Sequence, residues 1–450
     1  MLLAAAVLVA LCLYAWFMWK RLAQPYEGPP TALLGDARIM REGFRERCGR
    51  PTNGDEALVV EVLHSRDTAA WVGDAAERFM RDCPNTQLRL RSIGDMDAVR
   101  SIVDGEVEPA LWLPSSSLAS TYLRERWEAA GREVPLAIDE GVSLLRSPTV
   151  LFVWEDRYRV LAPLIGRWDA SGAPWARSLC ASIPLDAPID LTTIRREAMV
   201  PGTWLAWKRE RFGGSPSERF PDGLLAGWGR VRIEHSSPTR TAVGLAAIYL
   251  MAYDFANVRH GLTLDSPEAF ERALYTEQGA FTRWIRRCEA GLEYQLESTQ
   301  ELTERMFHVS GAFDGVVTSE QLAFTILRSI NAHGPSMRRA RIVYPDVTIV
   351  SDHPAVLFWP GPGEEEESAA AERFVEFLRS APRQRAAVEH GFRPTNPGVV
   401  IRDYDVERNP FLRLRAFGVD LNPPMREPPR VHASTLRELV ERWEDATERN

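Results

Sequence analysis

Lysine is almost absent from this sequence. Lys20 and Lys208 are the only lysines, so arginine supplies nearly all of the 54 basic residues. The arginines alternate with acidic residues, for example at 124–126 and 209–211, and the net charge is -8. Proteins that bind nucleic acid usually carry clustered positive charge on one face. We therefore expect no nucleic acid partner.

Cysteine is also scarce, and no two cysteines have the C-x-x-C spacing that zinc sites use. We therefore expect no metal. The five cysteines are Cys12, Cys48, Cys83, Cys180 and Cys288. Cys12 lies in the N-terminal apolar run, and the other four could form two disulfides in an oxidising compartment. Our hypothesis pairs Cys48 with Cys83 and Cys180 with Cys288, and four buried free thiols are the alternative.

Recognisable catalytic motifs are missing as well. The sequence contains no G-x-S-x-G, G-x-x-x-x-G-K-[ST] or H-E-x-x-H motif, and no G-x-G-x-x-G after a strand. We therefore predict that the protein is not an enzyme and uses no cofactor. A hydrolase built from Ser237 and His235 is the enzymatic alternative, although neighbours on one segment rarely reach nucleophile–base geometry.

The N-terminus carries the one long apolar run. Residues 2–19 contain no charge and would span roughly 27 Å as a helix, close to the thickness of a bilayer core. Aromatic rings crowd the end of the run, and Lys20 and Arg21 close it. We expect an uncleaved transmembrane anchor. The basic pair after the run opposes an external body, because positive residues favour the cytoplasmic side.

Strand and helix patterns alternate after the first 56 residues, which is typical of an α/β protein with parallel strands. Predicted strands cover 57–63, 87–91, 109–113, 149–154, 231–234, 306–313 with 315–318, 341–344 and 355–359. Predicted helices cover 68–82, 95–103, 117–130, 239–257, 266–274, 279–289, 319–330, 366–380, 383–389 and 434–447.

Six segments in order resemble the bacterial extracellular solute-binding proteins of the type II periplasmic-binding fold, in the branch near molybdate- and sulfate-binding proteins. The segments are VVEVLHS (59–65), PALWLPSSS (109–117), SPTVLFV (147–153), HSSPTRTAVG (235–244), DGVVTSE (314–320) and a closing group that includes YPD (344–346), DHPA (352–355) and GFRP (391–394). The resemblance spans residues 57–397. The region 157–230 is longer than the family needs, and the tail after residue 399 has no counterpart.

The resemblance implies a two-lobed α/β fold in which each lobe is a mostly parallel sheet flanked by helices. Residues 57–150 would form lobe 1, 151–340 lobe 2, and 341–400 the return to lobe 1. Residues 1–21 would be the anchor or an uncleaved signal, 22–56 a tether with a short helix, and 401–450 a tail with a helix. The lobes would move about a crossing at 147–153, with the return near 341–350.

Ligands of open α/β sheets bind where strands end and helices begin. Hydroxyl residues at such places supply donors next to positive helix ends, which suits an anion, although each is also an ordinary helix cap. Asp314 and Glu320 offer a counter-hypothesis, a cationic group on the solute. The residues predicted to bind ligand are Ser65, Thr68, Trp112, Ser115, Ser116, Thr149, Ser237, Thr239, Thr241, Asp314 and Glu320.

The expected function is capture of a small, anionic solute for an ABC-type transporter, by a single-pass membrane protein whose body lies in the periplasm or on the cell surface. The expected partners are the solute, a membrane permease and the membrane itself. A sensor or interaction protein that keeps the binding fold without transport is the alternative, which the anchor and the tail helix favour.

Overall fold

The computed structural model describes residues 57–132, 141–159, 204–205, 221–229, 231–260, 266–275, 279–289, 298–309, 313–332, 339–345, 347–358, 365–403, 406–423 and 425–447. Residues 57–81 and 86–450 form one compact unit. Residues 82–85 belong with residues 1–56 to a second unit, in which Cys83 is buried and forms a disulfide. The alternative of four free thiols is therefore excluded. Cys48, the predicted partner of Cys83, lies outside the described residues.

The described strands are β1 (Leu58–Ser65), β2 (Thr86–Ile93), β3 (Leu111–Leu113), β4 (Val142–Ser143), β5 (Leu145–Trp154), β6 (Ile233–Glu234), β7 (Gly315–Ser319), β8 (Ala340–Val343), β9 (Val350–Ser351), β10 (Pro354–Leu357) and β11 (Arg393–Pro394). The described α-helices are α1 (Ala69–Asp82), α2 (Asp95–Asp104), α3 (Ser117–Ala129), α4 (Asp222–Trp228), α5 (Ala242–His260), α6 (Pro267–Tyr275), α7 (Ala280–Glu289), α8 (Thr299–His308), α9 (Glu320–Ala332), α10 (Glu365–Arg379), α11 (Ala381–Glu389), α12 (Pro410–Arg413) and α13 (Ala433–Thr447).

The first sheet has the strand order β2-β1-β3-β10-β4, and we call this sheet and the helices α1, α2, α3 and α10 lobe 1. β1 is parallel to β2 and β3, as the alternation of strands and helices predicts, whereas β10 is antiparallel to β3 and β4. Leu63, Trp112 and Val356 fill its core together with the inner face of α2. Burial of this continuous apolar face is what stabilises the lobe.

The second sheet has the order β11-β5-β7-β6, with β8 and β9 also paired to β5, and we call it and the helices α5 to α9 lobe 2. Among the described strands of this sheet, only β6 and β7 are parallel, and every described partner of β5 runs antiparallel to it. The expectation of a mostly parallel second sheet is therefore wrong. β5 carries eight buried residues in succession, Ser147 to Trp154, which is typical of a strand covered on both faces.

The chain passes between the sheets at two adjacent points. Leu144 separates β4 from β5, and Asp352 with His353 separates β9 from β10. The two crossings are joined, because the Leu144 amide donates to the His353 carbonyl at 3.1 Å. The structure therefore corrects the predicted crossing at 147–153, which lies wholly inside the second sheet. We call Leu144 and Asp352–His353 the hinge.

His353 has an unusual conformation at the hinge. Its φ is 42°, in the left-handed region that residues with a side chain rarely adopt. The ring is buried and packs edge-on against Phe392 at 5.0 Å, and burial lowers the pKa of His353 to about 3. The imidazole is therefore neutral at the hinge.

Most predicted elements are confirmed, with one clear exception. The strand predicted at 306–313 is wrong at its start, because residues 306–308 are the last turn of α8, which runs from Thr299 to His308. β7 begins at Gly315. The missed signal is a capping box, in which the Ser298 hydroxyl accepts from the Glu301 amide at 3.3 Å. The start of α8 lines a polar cavity between the lobes.

The predicted N-terminal anchor lies outside the described residues. Among the helices that the structure describes, none combines the length and apolar character needed to span a membrane.

Candidate functional site

A narrow polar cavity lies between the lobes, at the edge of both sheets where strands end and helices begin. Its volume is about 30 Å³, room for a water molecule or two, whereas ligand pockets usually measure a few hundred Å³. We call it the interlobe cleft, and it is lined by Ser65, Arg66, Asp67, Gly94, Asp95, Ser115, Arg240, Thr241, Ala242, Val243, Ser298, Thr299 and Gln300. In this arrangement, which we call the closed state, the cavity is too small for an organic solute, so binding there would require the lobes to separate about the hinge.

On the lobe 1 side, Ser65 and Thr68 shape the turn between β1 and the helix that follows. The Ser65 hydroxyl accepts from the Asp67 amide at 3.2 Å, and its carbonyl accepts from the Thr68 hydroxyl at 3.1 Å. A serine at a strand end can satisfy the first amides of a helix in this way. Ser65 faces the cleft, and Thr68 is buried behind it.

Asp95 is the central acidic group of lobe 1. One carboxylate oxygen accepts from the Ser115 amide at 3.1 Å and the other from the Ser115 hydroxyl. Burial raises the pKa of Asp95 to about 6, although the Ser115 hydrogen bonds oppose the shift. The neighbouring Asp67 has its pKa raised to about 7 by burial and by the charge of Asp95. The cleft therefore contains two carboxyl groups that change charge near neutrality.

The start of α3 is tied to the hinge. The Ser116 hydroxyl caps α3 by accepting from the Leu118 amide at 3.2 Å. The Ser117 amide donates to the Asp352 carboxylate at 2.7 Å, and the His353 amide donates to the Ser115 carbonyl at 3.2 Å. A change of hinge angle would therefore act directly on the serine turn.

On the lobe 2 side, hydroxyl groups build the start of α5. The Thr241 hydroxyl accepts from the Gly244 amide at 2.9 Å, and the hydroxyls of Ser237 and Thr239 are 2.8 Å apart. The close turn requires glycine at 244, because a Cβ there would lie 2.3 Å from the Ser236 carbonyl oxygen. The local sequence therefore fixes where α5 begins.

Two helices of lobe 2 point their N-termini at the same cavity. Ser236 joins them, because its hydroxyl lies 2.7 Å from that of Thr241 on the α5 turn and 2.8 Å from that of Thr299 on α8. The first amides of a helix have no partner within the helix and carry partial positive charge. Ala242, Val243, Thr299 and Gln300 occupy these first positions and line the cleft. This side of the cleft is suited to a negatively charged group.

Arg240 crosses the cleft. Its guanidinium contacts Asp97 of lobe 1 at 2.9 Å, and both side chains are partly exposed. This ion pair joins the lobes in the closed state and must break, or stretch, when they separate.

His235 lies behind the cleft and is engaged elsewhere. Its Nε2 is 2.9 Å from Glu289 Oε1, and its Nδ1 is 2.9 Å from the Ser236 carbonyl oxygen. Burial alone would lower the pKa of His235, but the charge and hydrogen bond of Glu289 outweigh burial and raise it to about 8. Both ring nitrogens are therefore occupied, and His235 is not placed as a base for Ser237.

Four predicted residues are not brought to the cleft. Trp112 is fully buried in the core of lobe 1, and Thr149 is buried within β5. Asp314 accepts from Arg157 Nε at 2.7 Å and from Trp204 Nε1 at 2.9 Å. Glu320 is held by both sides of the Arg393 guanidinium at 2.8 Å. Each carboxylate is paired with a nearby arginine, and neither lines the cleft.

Ser65, Ser115 and Thr241 line the cleft, and Thr68, Ser116, Ser237 and Thr239 form hydrogen bonds in the turns that border it. The residues that sequence reasoning missed are the charged ones, Arg66, Asp67, Asp95 and Arg240, together with the start of α8. A signal existed for α8 in its capping box. None existed for Arg240, whose partner Asp97 is distant in the chain.

These features define a two-lobed α/β protein with a polar cavity between its lobes. Residues 60–393, more than half of the chain, match the family of bacterial extracellular solute-binding proteins, and the chain belongs to this family. The family consists of binding proteins and not of enzymes, which agrees with the absence of catalytic motifs. A comparison with curated protein sequences gives no match.

Several solved structures are similar to this chain. The sulfate-binding protein SubI from Mycobacterium tuberculosis H37Rv is 13% identical with a TM-score of 0.45, over 83% of this chain and 94% of that chain. An ABC transporter substrate-binding protein from Bradyrhizobium japonicum USDA 110 is 12% identical with a TM-score of 0.46, over 87% of this chain and 100% of that chain. The periplasmic binding protein AfuA from Actinobacillus pleuropneumoniae is 11% identical with a TM-score of 0.45, over 87% of this chain and 99% of that chain.

Proposed function

We propose that this protein captures a small solute with an anionic group in the interlobe cleft and delivers it to the permease of an ABC-type transporter. The observation that carries the proposal is the meeting of the N-termini of α5 and α8 with Arg240 on one wall of the cleft. Amide donors and a guanidinium together bind oxyanions and carboxylates more strongly than neutral groups. The nearly filled cleft supports a cycle in which the lobes open, admit the solute and close.

The acidic wall gives this capture a pH dependence. Asp67 and Asp95 carry raised pKa values of about 7 and about 6, so both are largely charged at pH 8 and largely neutral at pH 5. Their charges repel an anion, and protonation removes the repulsion. Anion affinity should therefore rise as the pH falls through 7 and 6.

The experiment is a thermal-shift and calorimetry screen with sulfate, molybdate, phosphate and small carboxylates at pH 5.5 and pH 8. A specific solute must raise the melting temperature by mass action. For any solute that binds, Arg240→Gln should weaken affinity by about tenfold or more, the scale of a lost hydrogen bond to a charged group. Arg100→Gln is the matched control, because Arg100 also contacts Asp97 but does not line the cleft.

A screen without any stabilising anion, or equal effects of the two arginine substitutions, would contradict the proposal. In the first case the sensor or interaction alternative gains support. It is favoured by the tail helix α13, which packs on both lobes.

Anchoring through residues 1–21, with the body outside the cytoplasm, is part of the same proposal. An apolar run of bilayer length supports it. External protease should digest the body in spheroplasts without lysis, and protection of the body would place it on the other side.

A further inference from the structure

The C-terminal helix α13 touches both lobes. It packs against α5 and α7 of lobe 2 and against α3 of lobe 1. A helix in this position spans the boundary that must change when the cleft opens. How firmly it is attached to each lobe decides what it does.

The attachment to lobe 2 is apolar and deeply buried. Leu436, Leu439, Val440 and Trp443 recur at helical spacing and belong to one core with α5 and β5. Packing of a helix through such a stripe is the main source of its stability in a folded protein.

The segment before α13 is pinned to lobe 2 as well. The Tyr249 hydroxyl of α5 donates to the Pro429 carbonyl, and Glu271 of α6 accepts from the His432 amide at 3.0 Å and from the Thr435 hydroxyl at 2.7 Å. We therefore expect α13 to move with lobe 2 as one body.

The attachment to lobe 1 has a different character. Arg437 Nε donates to Glu125 Oε1 of α3 at 2.8 Å, and Tyr122, one turn earlier on α3, lies in the electrostatic field of Arg437, Glu441 and Glu444. The Arg437 and Glu125 side chains remain 35% and 16% exposed, so water can replace their contact. On this side α3 adds the partly buried Leu118 and Tyr122, so a partly exposed ion pair is combined with a small apolar contact. The residues that attach α13 to lobe 2 are, by contrast, buried.

From this asymmetry we propose that α13 is a latch, carried by lobe 2, that holds the closed state through the Arg437–Glu125 ion pair on α3. Arg240 and Asp97 form a second ion pair between the lobes, at the cleft. Opening must separate both pairs, so the latch sets how much of the empty protein is closed. The inference rests on the proposed lobe movement during solute capture, but it concerns the protein without solute.

The test measures the distance between the lobes in the solute-free protein by double electron–electron resonance. A non-natural amino acid with a ketone side chain replaces Glu77 of α1 and Glu268 of α6, which are both exposed. A spin label is attached to each ketone, so the native cysteines are left unchanged. Arg437→Glu places like charges on the two helices and should raise the ratio of open to closed protein by about fivefold, as expected for a partly exposed pair. Adding Glu125→Arg should restore the closed distance.

Arg442→Ala is the matched control, because Arg442 pairs with Glu438 within α13 and does not reach lobe 1. It should leave the distance distribution unchanged. Circular dichroism checks that each variant is folded, and Arg437→Gln replaces Arg437→Glu if the reversal unfolds the protein. Longer distances that the double reversal restores would support the latch.

Unchanged distances in the folded Arg437 variants, or a shift that Glu125→Arg fails to reverse, would overturn the latch. Failure of the proposed function would be seen separately, as a wild-type protein that no solute stabilises, whatever the distances show.

Discussion

Asp314 and Arg157 form a buried ion pair in lobe 2, and replacing Asp314 tests whether this carboxylate is structural or binds solute. Asp314→Asn keeps the shape of the side chain and an acceptor for the Trp204 indole, 2.9 Å away in the native protein. It removes the charge that faces the Arg157 guanidinium at 2.7 Å. The substitution therefore isolates the electrostatic part of the contact.

The magnitude follows from burial. The Arg157 and Asp314 side chains are 9% and 3% exposed. Removing one partner of a buried pair usually destabilises a protein by about 3–5 kcal/mol. Asp156 still contacts Arg157 at 2.9 Å from a more exposed position, so we expect the lower end, about 3 kcal/mol.

The assay is urea unfolding followed by tryptophan fluorescence and circular dichroism, because Trp204 and Trp228 lie beside this ion pair. Asp104→Asn, which alters an exposed carboxylate, is the control and should change the free energy of unfolding by less than about 0.5 kcal/mol. Affinity for a solute found in the screen should be unchanged in folded Asp314→Asn. A variant with native stability and a tenfold loss of affinity would refute this reasoning and return Asp314 to the binding site.

Two further predictions concern the cleft. The pKa of Asp67 is raised from 3.8 to about 7, so between these pH values the folded state keeps a proton that the unfolded chain releases. The stabilisation by this proton is complete below pH 3.8 and is lost as the pH rises through 7. Asp67→Asn should therefore have a higher melting temperature than the wild type at pH 8 and the same melting temperature at pH 4. An equal difference in melting temperature at both pH values would contradict the raised pKa of Asp67. Gly244→Ala should lower the free energy of unfolding by about 1–3 kcal/mol, because the new Cβ would lie 2.3 Å from the Ser236 carbonyl oxygen. Gly73→Ala, in open space on α1, should be neutral or stabilising, and equal losses in chemical denaturation would show that the close contact has no effect.

The secondary structure of the described residues was largely predictable from local patterns. β1 is a mostly apolar run, and residues 242–253 of α5 are apolar on all sides because lobe 2 encloses them. α13 follows its stripe from Leu436 to Trp443. The failure at α8 arose because the apolar residues near its end resemble the start of a strand, while the cap at Ser298 was overlooked.

The walls of the cleft were only half predictable. Ser65, Ser115 and Thr241 follow from the chemistry of helix starts, which is a local property. The sequence does not distinguish Asp95 from any other acidic residue at the start of a helix. Its burial against Ser115 depends on how β3 packs beside β1. The ion pairs of Asp314 and Glu320 could not be predicted for the same reason, since their partners Arg157 and Arg393 lie in distant parts of the chain.

By itself, the sequence determined which segments become strands and helices and which hydroxyl residues stand at helix starts, because periodicity and capping act within a few residues. The tertiary structure alone decided the antiparallel pairing of β5, the position of the hinge, the partners of the buried charges and the contact of α13 with both lobes. Each of these depends on contacts between residues far apart in the chain, such as Arg240 with Asp97 and Arg437 with Glu125. Local patterns do not encode such pairings, because the charges are common and only packing selects which ones meet.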